Sequence, residues 1–418
     1  MKQIPIIRFS KFDDKWSSVE IGDLAQIKRG ASPRPIQDPK WFDKNSDIGW
    51  LRISDVTEQK GRIKYLEQKI SKLGQEKTRV LNTPHLLLSI AATVGKPVVN
   101  YVKTGVHDGF LIFENPKFDR EFMFQWFDMF RPKWNKYGQP GSQVNLNSDI
   151  IRNHKMMIPS LPEQSAIGSL FRTIDDLLAS YKDNLDNCQS LKATMLTKIF
   201  PKAGQIVPEI RLDGFEGEWK CIKMADIFQI IDGDRGKSYP GESDFSSFGH
   251  TLFLDTGNVK KTGLDFSTTK FISEEKDKEL RNGKLILGDF ILTSRGTLGN
   301  VAYYDENIQK RFSSVRINSA MLILRPLLGD KISPEYILAV LRGNLISDFM
   351  KVNQVGSAQP HITKKEFSKI KVLVPSNIQE QQAIGSYFSN LDNLINSHQE
   401  KITQLETLKK KLLQDMFI

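Results

Sequence analysis

The chain has 418 residues, of which 39% are hydrophobic and 26% are charged, and its formal net charge is +10. This length suits two domains with connecting segments, and the composition is that of a globular protein with no run near the roughly 18 apolar residues of a membrane span. The N-terminal residues lack the apolar core of a signal peptide, and two cysteines are too few for a disulfide framework or a zinc cluster. We therefore expect a cytoplasmic protein without membrane contact.

The first globular stretch of the chain has a counterpart in the second half. The shared residues recur at a constant shift of 203 positions, so that Ile7, Arg8, Phe12, Trp16 and Asp23 match Ile210, Arg211, Phe215, Trp219 and Asp226. Each copy continues through short apolar runs separated by polar, glycine-containing loops, and then through a stretch with helical spacing near 120–130 or 334–351. Strands and short helices without regular βαβ spacing predict α+β domains with mixed or antiparallel sheets.

A long stretch with helical spacing closes each copy. A shift of 217 positions superposes Glu163 on Glu380 and Phe200 on Phe417. The apolar residues alternate in steps of four and three, which is typical of a coiled-coil seam. The seam residues are Ile167, Phe171, Ile174, Leu178, Tyr181 and Leu185 in the first copy and Ile384, Phe388, Leu391, Ile395, His398 and Ile402 in the second, and the pattern also includes Leu191 and Leu408 further on.

A helix of this kind cannot bury its apolar stripe alone, so we predict that the two long helices pair with each other, antiparallel. Ser160 and Glu163 have the spacing of a capping box at the start of the first helix. Gly168 and Gly385, one turn into each helix, predict a close approach of another backbone. Tyr181 and His398 are expected to pack or to set the helix register rather than to bind a ligand.

The repeat predicts four segments in order. They are a globular domain at residues 1–158, a helix at 159–201, a second globular domain at 202–374 and a second helix at 375–418, related by a pseudo-twofold axis. The two helical stretches are close to neutral, so the positive charge lies in the globular domains. This distribution indicates domains that meet a polyanion and helices that meet protein.

Basic and amide side chains on glycine-containing loops are the candidate DNA contacts, because arginine and lysine bind guanine or phosphate and glutamine binds adenine. The candidates are Arg29, Arg34, Lys96 and Gln143 in the first copy and Arg235, Lys237, Arg295 and Gln359 in the second. For each residue alone, a solvated or fold-stabilising role is an equal alternative. The loops differ between the copies, so we expect the two domains to read different sequences.

Catalytic motifs are not evident in the sequence. Gly236-Lys237-Ser238 lacks the glycine that a phosphate-binding loop requires five residues earlier, where Ile231 stands. The sequence shows neither a dinucleotide-type glycine fingerprint nor the Asn/Asp-Pro-Pro-aromatic segment of an amino-methyltransferase, and its six histidines are scattered. We therefore expect no catalytic residues and no metal site.

Over its whole length the chain resembles the specificity subunit of a Type I restriction-modification enzyme. The resemblance rests on Pro159-Ser-Leu-Pro-Glu-Gln and Pro375-Ser-Asn-Ile-Gln-Glu-Gln at the starts of the long helices. It also rests on the two segments that begin at Ile7 and at Ile210 and contain Trp16 and Trp219, which we call the entry segments. It implies two target recognition domains separated by two spacer helices, and a bipartite double-stranded DNA site with a gap of unspecified bases.

The resemblance also implies a bacterial or archaeal complex in which this subunit is non-catalytic. Its partners would be two methyltransferase subunits and two ATP-driven restriction and translocase subunits, and S-adenosylmethionine, ATP and Mg²⁺ would act in those partners rather than in this chain. Two alternatives are a self-contained nuclease or methyltransferase with an unrecognised site, and a scaffold whose two domains bind protein.

Overall fold

The computed structural model describes residues 4–90, 93–137, 146–202, 204–353 and 361–417. These residues form two compact units, of which unit 1 comprises Met1–Tyr181 with Lys401–Ile418 and unit 2 comprises Lys182–Glu400. The boundaries between the units fall within the two long helices, so each helix contributes residues to both. Strands and helices are intermixed in each unit, which confirms the predicted α+β class.

Unit 1 is built from short strands and helices followed by a long helix. Its strands are β1 (Ser17–Glu20), β2 (Gln26–Arg29), β3 (Gly49–Trp50), β4 (Arg62–Ile63), β5 (Arg79–Leu81), β6 (Leu86–Ser89), β7 (Pro97–Asn100), β8 (Thr104–Val106), β9 (Phe110–Glu114) and β10 (Lys155–Ile158). Its helices are α1 (Ile21–Leu24), α2 (Ile53–Glu58), α3 (Lys72–Gln75), α4 (Arg120–Phe130), α5 (Ser148–Arg152) and the first part of α6 (Leu161–Ile199).

Unit 2 follows the same plan. Its strands are β11 (Lys220–Lys223), β12 (Phe228–Asp232), β13 (Thr251–Leu254), β14 (Val259–Lys260), β15 (Gly263–Leu264), β16 (Phe271–Ile272), β17 (Phe290–Thr293), β18 (Val301–Tyr303), β19 (Val315–Ile317), β20 (Met321–Pro326) and β21 (Lys371–Val374). Its helices are α7 (Met224–Ile227), α8 (Glu274–Glu279), α9 (Glu306–Arg311), α10 (Pro334–Arg342), α11 (Leu345–Asn353), α12 (Lys364–Phe367) and the first part of α13 (Ile378–Met416).

The sheets of the two units have related strand orders, with one more strand in the largest sheet of unit 1. The largest sheet has the order β2-β9-β6-β7-β4 in unit 1 and β12-β20-β17-β18 in unit 2. A smaller sheet in each unit contains a parallel pair, β3 with β8 or β13 with β19. The entry strand pairs antiparallel with the strand that precedes the long helix, as β1 with β10 and as β11 with β21. The prediction of mixed sheets in two similar domains is confirmed.

Within unit 1 the segments of α6 and α13 run antiparallel, as predicted. The rings of Phe171 and Phe417 have centroids 5.8 Å apart, and Lys409 Nζ lies 2.7 Å from Asp175 Oδ1. Residue numbers therefore rise along one helix as they fall along the other. Backbone amides of Ile6 and Ile7 donate to the carbonyl of Asp415, so the entry segment also binds the last turn of α13.

Unit 2 repeats this arrangement with the roles of the helices exchanged. Lys192 of α6 pairs with Asp392 of α13, and the rings of Phe200 and Phe388 stack with centroids 5.6 Å apart. Asp392 and Lys192 are the repeat equivalents of Asp175 and Lys409. The same ion pair is thus formed in each unit, with the acidic partner on α6 in unit 1 and on α13 in unit 2.

A buried glutamate lies in the first turn of each long helix. Glu163 accepts from Arg8 Nε at 2.6 Å and, more weakly, from Trp16 Nε1 at 3.4 Å. In unit 2 Arg211 Nε donates to Glu380 at 2.8 Å. Glu163 is thus committed to the entry segment and not to the capping box that the sequence suggested, because a buried carboxylate requires a charged partner.

The two glycines near the helix starts lie where a neighbouring helix begins. A Cβ atom on Gly168 would lie 2.8 Å from the backbone nitrogen of Phe122 in α4, and one on Gly385 would lie 2.6 Å from that of Tyr336 in α10. The expected close approach is present in both units. The stretch at 334–351, taken as one helix from its spacing, is divided into α10 and α11 at Gly343.

The predicted seam residues are mostly buried. Tyr181, Ile395 and His398 are partly buried, and the other nine of the twelve have little exposed surface. Leu191 and Leu408, which the heptad pattern places on the seam, are instead 45% and 46% exposed. The adjacent Lys192 and Lys409 face the partner helix at these levels, so the apolar stripe is interrupted by the two ion pairs.

We predict that Glu380→Gln lowers the free energy of unfolding by about 2–4 kcal/mol, because Arg211 would lose its ionised partner in a buried environment. Urea unfolding followed by tryptophan fluorescence checks this. Glu274→Gln is the matched control, since Glu274 pairs with the exposed Lys278 one turn along α8. Equal urea midpoints for Glu380→Gln and the control would contradict the assignment.

Candidate nucleic-acid interface

In unit 1 the loop after β2 lies against the loop between β8 and β9. The amide of Gly30 donates to the carbonyl of Phe110 at 2.9 Å, and the amide of Ala31 donates to that of Val106 at 3.0 Å. A Cβ atom on Gly30 would lie 2.1 Å from the carbonyl oxygen of His107, so this approach requires glycine. The two loops therefore form one rigid edge.

Three arginines are attached to this edge. Arg29 Nε donates to the carbonyl of Asp108 at 2.6 Å, Arg34 Nη2 donates to its carboxylate at 2.7 Å, and Arg79 Nε donates to the carbonyl of Arg29 at 2.7 Å. All three side chains are exposed. Each is held through one or two of its N–H groups, and the others are available to an incoming acceptor.

The charge of this arginine cluster is only partly balanced. Burial raises the pKa of Asp108, but bonds from Ser32 and the charge of Arg34 outweigh burial and hold it below its usual value. The carboxylate is therefore ionised at neutral pH and offsets one of the three guanidinium charges. Two of the three hydrogen bonds go to carbonyl groups, which carry no charge, so the edge stays positive.

In unit 2 a buried aspartate joins the loop after β12 to a further loop. Asp234 accepts from the backbone amides of Gly236 at 2.6 Å, Arg281 at 2.6 Å and Asn282 at 3.2 Å. Burial raises the pKa of Asp234, but these three amides outweigh burial and lower it. An ionised carboxylate with several amide donors is a strong local constraint. It fixes the loop after β12 to the loop that follows α8.

The loop after β12 also lies against the loop between β19 and β20, as its equivalent does in unit 1. Arg235 Nη2 donates to the carbonyl of Ser319 at 3.0 Å. A Cβ atom on Gly233 would lie 2.1 Å from the carbonyl oxygen of Asn318, matching Gly30 against His107. The amide of Arg295 donates to the carbonyl of Ala320 at 3.2 Å, which brings the loop between β17 and β18 to the same edge.

The structure brings together some of the predicted contact residues and not others. Arg29 and Arg34 share Asp108, whereas Arg235 and Arg295 are exposed residues whose loops meet at 318–320. Lys237 is exposed in the loop that Asp234 holds. Gln143, Gln359 and their two glycine loops lie outside the described residues.

Lys96 has a different environment from the other candidates. It is partly buried, and burial together with the charge of Arg131 lowers its pKa. The nearby Arg131 Nε donates to the carbonyl of Val94. Lys96 therefore lies near a second cation on the loop between β6 and β7, and it is less accessible than the arginines at the edge.

Four residues of the two edges were missed by sequence reasoning. Arg79 and Arg281 are exposed cations, and Asp108 and Asp234 are the carboxylates that hold the loops. Their partners are distant in sequence, since Arg34 is separated from Asp108 by 74 positions and Asp234 from Arg281 by 47. A local pattern has no signal for such pairs.

In the described part of the chain, no group of three or more His, Cys, Asp or Glu side chains could hold a metal ion. No helix among the described residues is long and apolar enough to cross a membrane.

Comparison with known proteins identifies the class. The family model described as Type I restriction modification DNA specificity domain matches residues 13–187 and again 216–407. These two matches cover most of the chain and follow its internal repeat. The chain therefore belongs to the Type I restriction modification DNA specificity domain family.

Two relatives and one solved structure are similar to the chain. The chain is 22% identical over 273 residues to the Type I restriction enzyme MjaVIII specificity subunit of Methanocaldococcus jannaschii, over 64% of this chain and 62% of that protein. It is 22% identical over 284 residues to the putative Type I restriction enzyme MjaX specificity subunit of the same organism, over 65% of this chain and 60% of that protein. The matches thus span about three-fifths of these relatives.

The fold is similar to the crystal structure of a Type I restriction-modification system S subunit from M. genitalium, with a TM-score of 0.65, 14% identity and 99% coverage of each chain.

We predict that Asp234→Ala loosens the loops that Asp234 joins. The amide protons of Gly236, Arg281 and Asn282 should exchange with solvent about tenfold faster or more, because each loses a hydrogen bond worth about 1–1.5 kcal/mol. Hydrogen exchange with mass spectrometry checks this in the full chain. Asp265→Ala is the control, since its partly exposed carboxylate accepts locally from Ser267. Unchanged exchange at all three amides would refute the role of Asp234.

Proposed function

We propose that this chain is the DNA specificity subunit of a Type I restriction-modification enzyme and has no catalytic residues of its own. In this proposal unit 1 and unit 2 each recognise one half of a bipartite double-stranded DNA site. The observation that carries the proposal is that one scaffold is repeated and that its two copies carry different basic loops at equivalent positions. A protein that reads two unlike half-sites needs this combination.

The chemistry of the two edges suits DNA. Exposed guanidinium groups bind phosphates and, when bidentate, the O6 and N7 atoms of guanine. Arg29, Arg34 and Arg79 would act in unit 1, and Arg235 and Arg281 would act with Lys237 and Arg295 in unit 2. Because loops fixed by Asp108 and Asp234 present these side chains in defined positions, the binding would lose little conformational entropy.

The differences between the edges predict an asymmetric target. Asp108 binds two arginine side chains in unit 1, whereas its equivalent region in unit 2 offers the carbonyl of Ser319 to Arg235. Gln143 and Gln359 are further candidates for adenine contacts. Since the same scaffold carries different side chains, the two half-sites should differ in sequence while the protein approaches them in the same way.

The two long helices would set the gap between the half-sites. Each is continuous over 39 residues, or about 58 Å at a rise of about 1.5 Å per residue. Each also contributes to both units. In this proposal the seam residues and the ion pairs Asp175–Lys409 and Lys192–Asp392 hold the pair in one register.

The helices also carry a repeated apolar surface. Leu177 and Leu408 in unit 1, and Leu394 and Leu191 in unit 2, are 43–49% exposed. Leu177 is equivalent to Leu394, and Leu191 is equivalent to Leu408. Isolated exposed leucines are ordinary, but these recur at equivalent positions and close in sequence to the ion pair of each unit. We propose that the helix surface carrying each leucine pair, called a patch below, docks one methyltransferase subunit.

The remaining components of the proposed enzyme would be partner subunits. Two methyltransferase subunits would bind S-adenosylmethionine, and two restriction and translocase subunits would use ATP and Mg²⁺. The part of this chain would be to hold the methyltransferases at the DNA site that it recognises. Adenine methylation should consequently require this chain although it performs no chemistry.

Reconstitution tests the proposal. The full chain is mixed with its cognate methyltransferase subunits, and methylated adenines are mapped on genomic DNA. We expect methylation at one bipartite sequence, in a manner that depends on this chain. Incubation of the chain alone with DNA, Mg²⁺ and S-adenosylmethionine is the control. Methylation that is unaffected by omitting the chain, or product formed by the chain alone, would overturn the proposal.

We predict that Leu177→Glu combined with Leu394→Glu weakens methyltransferase binding by about tenfold or more. Each leucine that is buried on docking would contribute about 1.5–3 kcal/mol, and the new charge would be desolvated. Binding is measured by titration of the methyltransferase subunit, together with DNA binding by the chain alone, which should be retained. Leu287→Glu is the matched control, since Leu287 is similarly exposed in unit 2. Wild-type affinity in the double variant would contradict docking at these patches.

A further inference from the structure

In unit 1, Asp175 of α6 forms a junction with three other structural elements, α13, β4 and α4. Its carboxylate accepts from Lys409 Nζ of α13 at 2.7 Å, from Arg62 Nη2 of β4 at 3.0 Å and from Gln125 Nε2 of α4 at 2.7 Å. The side chain is only 18% exposed. The carboxylate therefore joins the partner helix to the globular part of the unit, in addition to pairing the two helices.

The globular side of this junction is itself fixed. Arg62 also donates to Glu121 of α4 at 2.7 Å, and its guanidinium lies 4.3 Å from the ring centroid of Phe124. Burial raises the pKa of Asp175, but Lys409, Arg62 and Gln125 outweigh burial and lower it. The junction is consequently ionised at neutral pH, and rotation of the globular part about α6 would separate buried opposite charges.

Unit 2 contains a related junction with a longer arginine contact. Asp392, the repeat equivalent of Asp175, pairs with Lys192 of α6 and lies 3.9 Å from Arg342 Nη1 of α10. Arg342 Nε donates to the carbonyl of Val301 in β18 at 3.2 Å. Arg342 lies on a helix in unit 2, whereas Arg62 lies on a strand in unit 1. In both units, therefore, an aspartate of one long helix lies between a lysine of the other long helix and an arginine of the globular part. The two arginines lie on different kinds of element.

We propose that Asp175 and Asp392, with Arg62 and Arg342, are positioning residues that fix the rotation of each recognition unit on its helix segments and so make the enzyme strict about gap length. This inference rests on the proposed function. It goes beyond helix length as the determinant of the gap, because a spacer of fixed length selects one gap only if the readers at its ends do not rotate.

The geometry of DNA explains why rotation matters. Each added base pair moves one half-site by about 3.4 Å along the helix axis and turns it by about 35° around that axis. A recognition unit that could swivel on the long helices would follow the turn and accept the longer gap. A unit held by a buried charge network would have to break that network to do so.

Arg62→Met with Arg342→Met is the test variant. It removes the arginine of each junction and leaves Asp175 with Lys409 and Gln125, and Asp392 with Lys192, so neither carboxylate is left unpaired. The variant and the wild-type chain are reconstituted with the methyltransferase subunits on a pool of duplexes. The duplexes carry the same half-sites at the native gap and at gaps one base pair shorter or longer, and methylation is read by sequencing.

We expect the wild-type enzyme to methylate one gap, and the variant to lose about tenfold of its preference over the neighbouring gaps, as for loss of a coupling of about 1–2 kcal/mol. Half-site sequence preference should be unchanged. Arg62→Lys with Arg342→Lys should recover part of the strictness. Lys310→Met, which removes an exposed lysine of α9, should behave as wild type.

The outcomes separate this inference from the proposed function. A variant that folds, as judged by its thermal denaturation, and keeps wild-type gap preference overturns the positioning role. A variant that changes half-site sequence preference also overturns it, because its arginines would then act in base recognition. A wild-type chain that directs methylation to no bipartite site overturns the proposed function itself.

Discussion

A buried arginine–glutamate pair at the start of each long helix is the contact on which the rest of the fold depends. Arg8 with Glu163, and Arg211 with Glu380, tie the entry segment of each unit to the first turn of its helix. The glutamates are 1% exposed and the arginines 11% and 16%, so the carboxylates depend on the arginines rather than on water. Each pair holds the entry strand beside the strand that leads into the helix, and the chain performs this closure twice.

Apart from these two pairs, the two units share a scaffold and differ in the loops that form their basic edges. The strand topology, the glycine contacts of Gly168 and Gly385 and the helix ion pairs recur, whereas the loops that carry Arg34 and Lys237 differ in sequence and in how they are held. Division of the chain into a constant frame and variable loops is what the proposed function requires. The frame would dock identical partners, and the loops would read unlike half-sites.

The sequence predicted those features that repeat or that depend on local spacing. The heptad pattern and the aligned copies predicted two paired helices, and the structure has them at Leu161–Ile199 and Ile378–Met416. Local rules failed where a distant partner decides a role. Glu163 has capping-box spacing but binds Arg8, and Leu191 has heptad spacing but is exposed because Lys192 faces Asp392. The arginine edge depends on Asp108, which no pattern near Arg29 reveals.

A domain exchange tests whether each unit reads one half-site. Residues 20–150 of unit 1 are replaced by the corresponding residues of a relative with a different target, and methylated adenines are mapped in cells that contain the partner subunits. We expect one half of the methylated site to change, while the other half and the gap stay as they were. A change in both halves would contradict the assignment of one half-site to each unit.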